Sequence, residues 1–227
     1  MSYGIRVMNQ SGETVMTTED PMLVVKSKGT IGLGTWTTGT THMFTTSDDP
    51  NGSSWATMAG TWYRNDGFTP SGMLLTDRII VEVPYGHRAF WFRNGNLLRF
   101  FSTASSLRYV LASWANNYAP RHSGYGAEVR RADGSVVWAD NLKVIADIRP
   151  LATGSPGSPF PWVCHEEQLC AYGTNELAVA PGAIRDGSGV FVRGMILGSN
   201  FYPNGGHWRY PGLRMKGFVA DINFDAI

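Results

Sequence analysis

The chain has 227 residues, with 19 Lys and Arg against 18 Asp and Glu, a formal net charge of +1. So even a balance, with no basic run, excludes a protein steered to nucleic acid or to an anionic membrane surface. Charged residues make up 16% and aromatics 12% of the chain, whereas ordinary soluble domains carry roughly 25% charge. A surface this poor in ions predicts coverage by other subunits, hence a homo-oligomer.

In chain order, the first element is a hairpin. Tyr3, Ile5 and Val7 alternate with polar neighbours at the period of a half-buried strand, Asn9-Gln10-Ser11-Gly12 turns, and Thr14–Thr17 returns. "MLVV" (22–25) predicts a short strand, and the Thr- and Gly-rich stretch 30–46 predicts twisted strands with tight bends. "DDPNGSS" (48–54) is a loop. "TDRIIVEVPYG" (76–86) is the clearest strand, stopped by Pro84 and Gly86. Residues 87–103 read as a hairpin about Asn94-Gly95, the strongest short turn signal, with Phe90, Phe92, Leu98 and Phe100 closing one hydrophobic layer.

Residues 104–118 carry both periods. Leu107, Val110, Leu111, Trp114 and Tyr118 fit a helix, while β neighbours favour a strand over 106–112. A second hairpin follows, "YGAEVRRADGSVVW", turning at Asp133-Gly134. It lies 122 positions after the first, and Tyr3/Tyr125, Gly4/Gly126, Val7/Val129, Gly12/Gly134 and Val15/Val137 match without a gap. The Tyr-Gly pair is not required by a generic hairpin, so the match favours internal duplication over convergence. "PLATGSPGSPFPW" (150–162) is the best candidate boundary. It divides a β-sandwich domain at 1–149 from a C-terminal β region at 150–227, the latter free-standing or packed on the same domain. Strands follow at "ELAVA", "GVFVRGMILG" and "RMKGFVADINF". The expected fold is all-β, an antiparallel β-sandwich built from hairpins, with two similar β units as one form of it.

No apolar run reaches the length of a membrane span. The opening "MSYGIRVMNQ" lacks the regions of a secretion signal. Together these predict synthesis in a cytoplasm, where Cys164 and Cys170 stay reduced. The five histidines (42, 87, 122, 165, 207) are scattered. "CHEEQLC" gathers Cys164, His165, Glu166, Glu167 and Cys170, but one cluster with this spacing does not make a tetrahedral zinc site and reads better as a turn with two buried thiols. A pair of acids for glycan cleavage could be drawn from Asp147, Glu166, Glu167, Asp186 and Asp221, and nothing selects among them. No nucleophile elbow, phosphate loop or dinucleotide fingerprint occurs. No metal, cofactor or catalytic residue is therefore assigned. The segment "SNFYPNGGHWRYPG" (199–212) sets Phe201, Tyr202, His207, Trp208 and Tyr210 among Gly, Pro and Asn. These five are the candidate contact residues for a receptor or partner, the alternative being rings folded into the core or a subunit contact.

The two hairpins resemble the one that opens many small tail proteins of long-tailed phages: Tyr-Gly, an alternating strand with Val, a Gly turn, then an apolar strand, ending in Trp138 and Asp140 in the second copy. The resemblance covers the first 25 residues and 124–148, and departs at Ala127, where the family has Leu or Ile. It implies a minor tail or tail-tip structural protein, without enzymatic activity, made in the host cytoplasm and residing in the virion. Implied partners are other tail proteins, further copies of the chain (a trimer, as tail tips are commonly three-fold) and a host-surface receptor or glycan. The alternatives are a carbohydrate-binding β-sandwich and a glycan-degrading tail enzyme.

Overall fold

The computed structural model describes residues 6–8, 14–17, 22–36, 42–45, 56–57, 61–95, 97–115, 117, 127–145, 147–151, 157–167, 170–172, 177–198 and 217–227. Among them there is no helix. The strands of the first part of the chain are β1 (Arg6–Met8), β2 (Thr14–Thr17), β3 (Leu23–Gly32), β4 (Gly34–Trp36), β5 (His42–Thr45), β6 (Ala56–Thr57), β7 (Trp62–Phe68), β8 (Arg78–Glu82), β9 (Arg88–Asn94), β10 (Leu97–Ser102) and β11 (Ser106–Trp114). Those of the second are β12 (Glu128–Arg130), β13 (Val136–Ala139), β14 (Ile148–Pro150), β15 (Trp162–His165), β16 (Cys170–Tyr172), β17 (Leu177–Asp186), β18 (Gly189–Gly198) and β19 (Gly217–Ala220). Residues 106–114 are a strand, since β11 lies between β3 and β8 and both its edges are taken up by ladder bonds.

The fold is an all-β sandwich of hairpins. The larger sheet runs β4-β7-β10-β9-β17-β18-β5-β6, with β16 also paired to β17, and the smaller runs β14-β19-β15-β8-β11-β3. Between them lies the main core, with Ile79, Trp91, Phe100, Leu111, Val163 and Val192 among its members. The Asn94-Gly95 turn sets the register of the larger sheet's central hairpin. Gly95 takes φ 61° and Asn94 pairs with Leu97, so Trp91 falls opposite Phe100 and Phe90 opposite Phe101. Phe90 and Phe92 therefore join Trp62 and Phe101 on the outer face of this sheet, while Leu98 and Phe100 face the main core. The four residues expected in one layer divide between two, because a two-residue turn fixes which side chains share a face.

The smaller sheet curls. Residues 143–145 bond the outer edge of β3 (Val25 N–H to Lys143 O, 2.8 Å; Ile145 N–H to Leu23 O, 2.9 Å). Three residues on, Ile148 pairs with Ala220 of β19, near the opposite edge. Six strand spacings would separate these places by about 29 Å in a flat sheet, yet three residues reach at most about 11 Å. The concave side of the curl holds Leu23, Ile80, Val110, Trp162 and Ala220, closed by Ile222, Phe224 and Ile227 of the C-terminal segment. Phe224 stacks on Trp162 (centroids 5.5 Å apart) beneath the Arg108 guanidinium, and its carbonyl accepts a bond from Lys28 Nζ.

Both sheets have the same plan read from either end. The central strands of the larger sheet are β9 and β17, and those of the smaller are β8 and β15. Outside them lie β10 and β18, and β11 and β19, then β3 and β14, while the outermost β4–β7 and β5–β6 pairs of the larger sheet both come from the first part of the chain. Chain order agrees: a hairpin, a peripheral strand, a central strand, a hairpin in the other sheet, then the strand that returns. The register carries the relation to single residues. A shift of 122 takes the β1–β2 pairs Arg6↔Thr17, Val7↔Met16 and Met8↔Thr14 onto Glu128↔Ala139, Val129↔Trp138 and Arg130↔Val136 of β12–β13, and the irregularity after Val7 recurs after Val129. The same shift takes Leu23 onto Ile145, and these two residues bond each other. A shift of 92 takes the Asn94–Leu97 turn onto Asp186–Gly189, and takes Phe90 onto Gly182, its direct partner across the β9–β17 ladder. Antiparallel pairing of equivalent residues is the mark of a two-fold axis between the halves.

That axis demands a small residue at one position. A Cβ on Gly182 would lie 2.2 Å from Ala89 O and 2.6 Å from Phe90 Cα. Gly182→Ala should lower the free energy of unfolding by more than about 2 kcal/mol in urea titrations, because backbone must yield. Gly67→Ala, with no atom within 4 Å of the added carbon, should stay within about 0.5 kcal/mol of the parent.

Candidate functional site

In each half the chain leaves the smaller sheet and enters the larger, at 83–87 after β8 and at 166–169 after β15. The second gathers three of the buried polar residues, Asp77, His165 and Glu167. At the second, Glu167 takes φ 56°, rare for a side chain with a Cβ. Its carbonyl accepts from Arg93 N (2.7 Å), and its own N–H donates to His165 Nδ1 (3.0 Å). Its carboxylate accepts from Ile79 N (3.0 Å) at one oxygen and from Arg93 at the other, with Arg93 Nη2 at 2.6 Å. Arg93 also donates to the carbonyls of Asp77 (3.1 Å) and Leu74 (3.4 Å). Asp77 accepts from Leu74 N (2.8 Å) and from Lys26 Nζ (2.9 Å). One polar chain thus joins β3, the 74–77 turn, β8, β9 and the crossover.

His165 lies inside this cluster, stacked on Trp91 with ring centroids 4.0 Å apart. Accepting the Glu167 N–H at Nδ1 places the proton of the neutral ring on Nε2. Burial pushes the imidazole pKa down to about 3. Burial also raises the Glu167 carboxyl above its ordinary value, against the opposing pull of Arg93 and the Ile79 N–H, and it raises the free thiol of Cys164.

The shift of 92 carries Arg93 onto Arg185 and reveals an equivalent tie at the opposite end. Arg185 N–H donates to His87 O (3.0 Å) and Gly86 N–H to Arg185 O (3.0 Å), while the guanidinium reaches Val83 O (3.3 Å) and lies over the Tyr85 ring. His87 Nδ1 pairs with Thr103 Oγ1 at 3.1 Å. Each arginine of one half therefore holds the crossover of the other.

Among the acids nominated from sequence, Glu167 is 1% exposed with both oxygens engaged, so its lone pairs serve the fold. Asp147, Glu166, Asp186 and Asp221 are exposed. Asp186 accepts from Ser188 N in the β17–β18 turn. No group of three or more His, Cys, Asp or Glu able to hold a metal occurs among the described residues. The side chain of Cys170 and the five contact candidates Phe201, Tyr202, His207, Trp208 and Tyr210 lie outside what the structure describes. Sequence reasoning missed Lys26, Asp77, Trp91 and Arg93. The signal available for Arg93 was the shared Arg-Asn-Gly and Arg-Asp-Gly at 93–95 and 185–187. No family model, curated protein or solved structure matches the chain.

Two measurements test this reading. Arg93→Met leaves a buried carboxylate unpaired and should cost about 3–5 kcal/mol of stability, most of it recovered in Arg93→Met/Glu167→Leu, where no charge is left stranded. For His165, the unfolded ring binds a proton below its ordinary 6.5 whereas the folded ring stays neutral to about 3. Between these values the unfolded state holds more protons, so stability falls with acidification by up to about 1.4 kcal/mol per pH unit. Glu167, raised in the fold, acts with the opposite sign, its stabilisation being lost as pH rises through its folded value. Urea titrations from pH 7 to pH 4 should therefore show a shallower acid slope in His165→Asn, which keeps an acceptor for Glu167 N–H and cannot titrate.

Proposed function

We propose that the protein is a non-enzymatic structural component of a phage tail tip, baseplate or fibre, a duplicated β scaffold that displays one contact loop. The observation that carries this reading is the contrast between two equivalent connections. In the first half, β10 returns to the smaller sheet as β11 through three residues, 103–105. In the second half, the equivalent passage from β18 to β19 takes all of 199–216. The first half makes this return with the short form. The added length holds Phe201, Tyr202, His207, Trp208 and Tyr210, whose rings suit a protein hot spot or the face of a sugar.

Two further observations support the reading. The hairpin that resembles the opening of phage tail proteins occurs twice with one register. The 71–77 turn, beside the Arg93 tie, exposes Leu74 at 51% and Leu75 at 69%, apolar surface of the kind that neighbouring subunits cover. On this reading the chain is made in the host cytoplasm, joins other tail proteins and further copies of itself, and presents its loop to a host-surface receptor or glycan.

The test makes Trp208→Ala/Tyr210→Ala in the encoding phage. Purified particles should still contain the protein by mass spectrometry and keep normal tails in electron micrographs, while adsorption to host cells falls at least tenfold. Absence of the unaltered chain from purified virions would overturn the reading.

A further inference from the structure

We propose that the chain is a fusion of two copies of one hairpin-headed β unit, and that the surface joining its halves is a two-fold homodimer interface. The partner each half is built to fit is then a second copy of the same unit. The inference does not rest on residence in a virion.

Three independent features carry it. The first is residue-level equivalence in two separate places, the β1–β2 and β12–β13 hairpins and the turns at 94–97 and 186–189. The second is where the halves meet. Equivalent strands pair antiparallel across the seam, β9 with β17 and β8 with β15, and Leu23 bonds its own equivalent, Ile145. The third is reciprocity. The Arg93 guanidinium of the first half reaches the second crossover at Glu167, and the Arg185 guanidinium of the second reaches the first crossover at Val83. If residue i of one unit holds residue j of the other, and the reverse also holds, the contact is isologous. Two copies stacked head to tail would show neither the antiparallel seam nor the reciprocal ties. The junction falls within 118–126, between β11 and the second hairpin. The larger differences between halves are insertions, β4–β7 in the first and 199–216 in the second.

Fusion also explains Phe90 facing Gly182. In a homodimer these positions carry the same residue, and two large side chains would collide at the axis. In one chain they can diverge, so a ring on one strand lies against bare backbone on the other.

The decisive experiment places a protease site within 118–126 of the full chain. After cleavage and separation in denaturant, the remixed fragments should regain at least half of the native circular dichroism. A control cut within 152–156, inside one half, should regain less than a fifth. Equal recovery from both cuts, or none from the first, overturns the fusion.

Discussion

The close approach of β9 and β17 at Phe90 and Gly182 is the contact on which the architecture turns. It joins the central hairpins of the larger sheet, and it sits where the two halves meet. The backbones can pair there only because one strand has no side chain at the meeting point. From that pairing the hairpins β9–β10 and β17–β18 extend in opposite directions. Their turns then fall at opposite ends of the sandwich, each beside the crossover of the other half. The arginine just before each turn is thereby brought to a crossover it could not reach within its own half.

The two ties use different chemistry for the same geometric task. At the first half's turn, Arg93 meets a buried carboxylate, and the charge pair is surrounded by Ile79 N–H, Asp77 and His165. At the second, Arg185 meets backbone carbonyls and the face of an exposed tyrosine. A buried ion pair is weak evidence for added stability, since desolvating both charges costs about as much as their attraction returns. Its geometric value is greater. One Glu167 oxygen takes both Arg93 Nε and Nη2 and the other takes Ile79 N–H, so the carboxylate ties the crossover, with its uncommon backbone, to strands of both sheets. The buried His165 gives the same crossover a second hold through stacking.

Much of this was legible from residues. Asn94-Gly95 announced its hairpin, the alternation in 76–86 announced β8, and the Tyr-Gly hairpins announced a repeat. The repeat beyond the hairpins was not legible, for a physical reason. The first half carries β4–β7 between β3 and β8, so the equivalence changes from a shift of 122 to one of 92 and no gapless comparison follows it. Residues across the axis have also diverged in size, Phe90 against Gly182, because they share one space and must complement each other. Glu167 looked no different from four other acids. Its burial depends on where the crossover runs, which strand patterns do not reveal, and the contact candidates at 201–210 lie outside the described residues.

The two-fold relation constrains how such a chain can serve in an assembly. Halves related by a half-turn point their equivalent surfaces in opposite directions, so they cannot act as successive members of one ring in the way that rotationally repeated domains do. The ends have diverged accordingly. The turn at 94–97 lies at the end that carries exposed Leu74, Leu75, Leu97 and Trp114, whereas the turn at 186–189 presents Asp186 and Ser188 beside Tyr85. Part of the difference comes from the stretch between β3 and β8, which carries Leu74 and Leu75 and is longer than its counterpart between β14 and β15, and part from side chains on the shared frame. The two ends of one frame therefore expose different chemistry. The connection 199–216 departs from β18 at the strand end opposite the 186–189 turn, which is the apolar end.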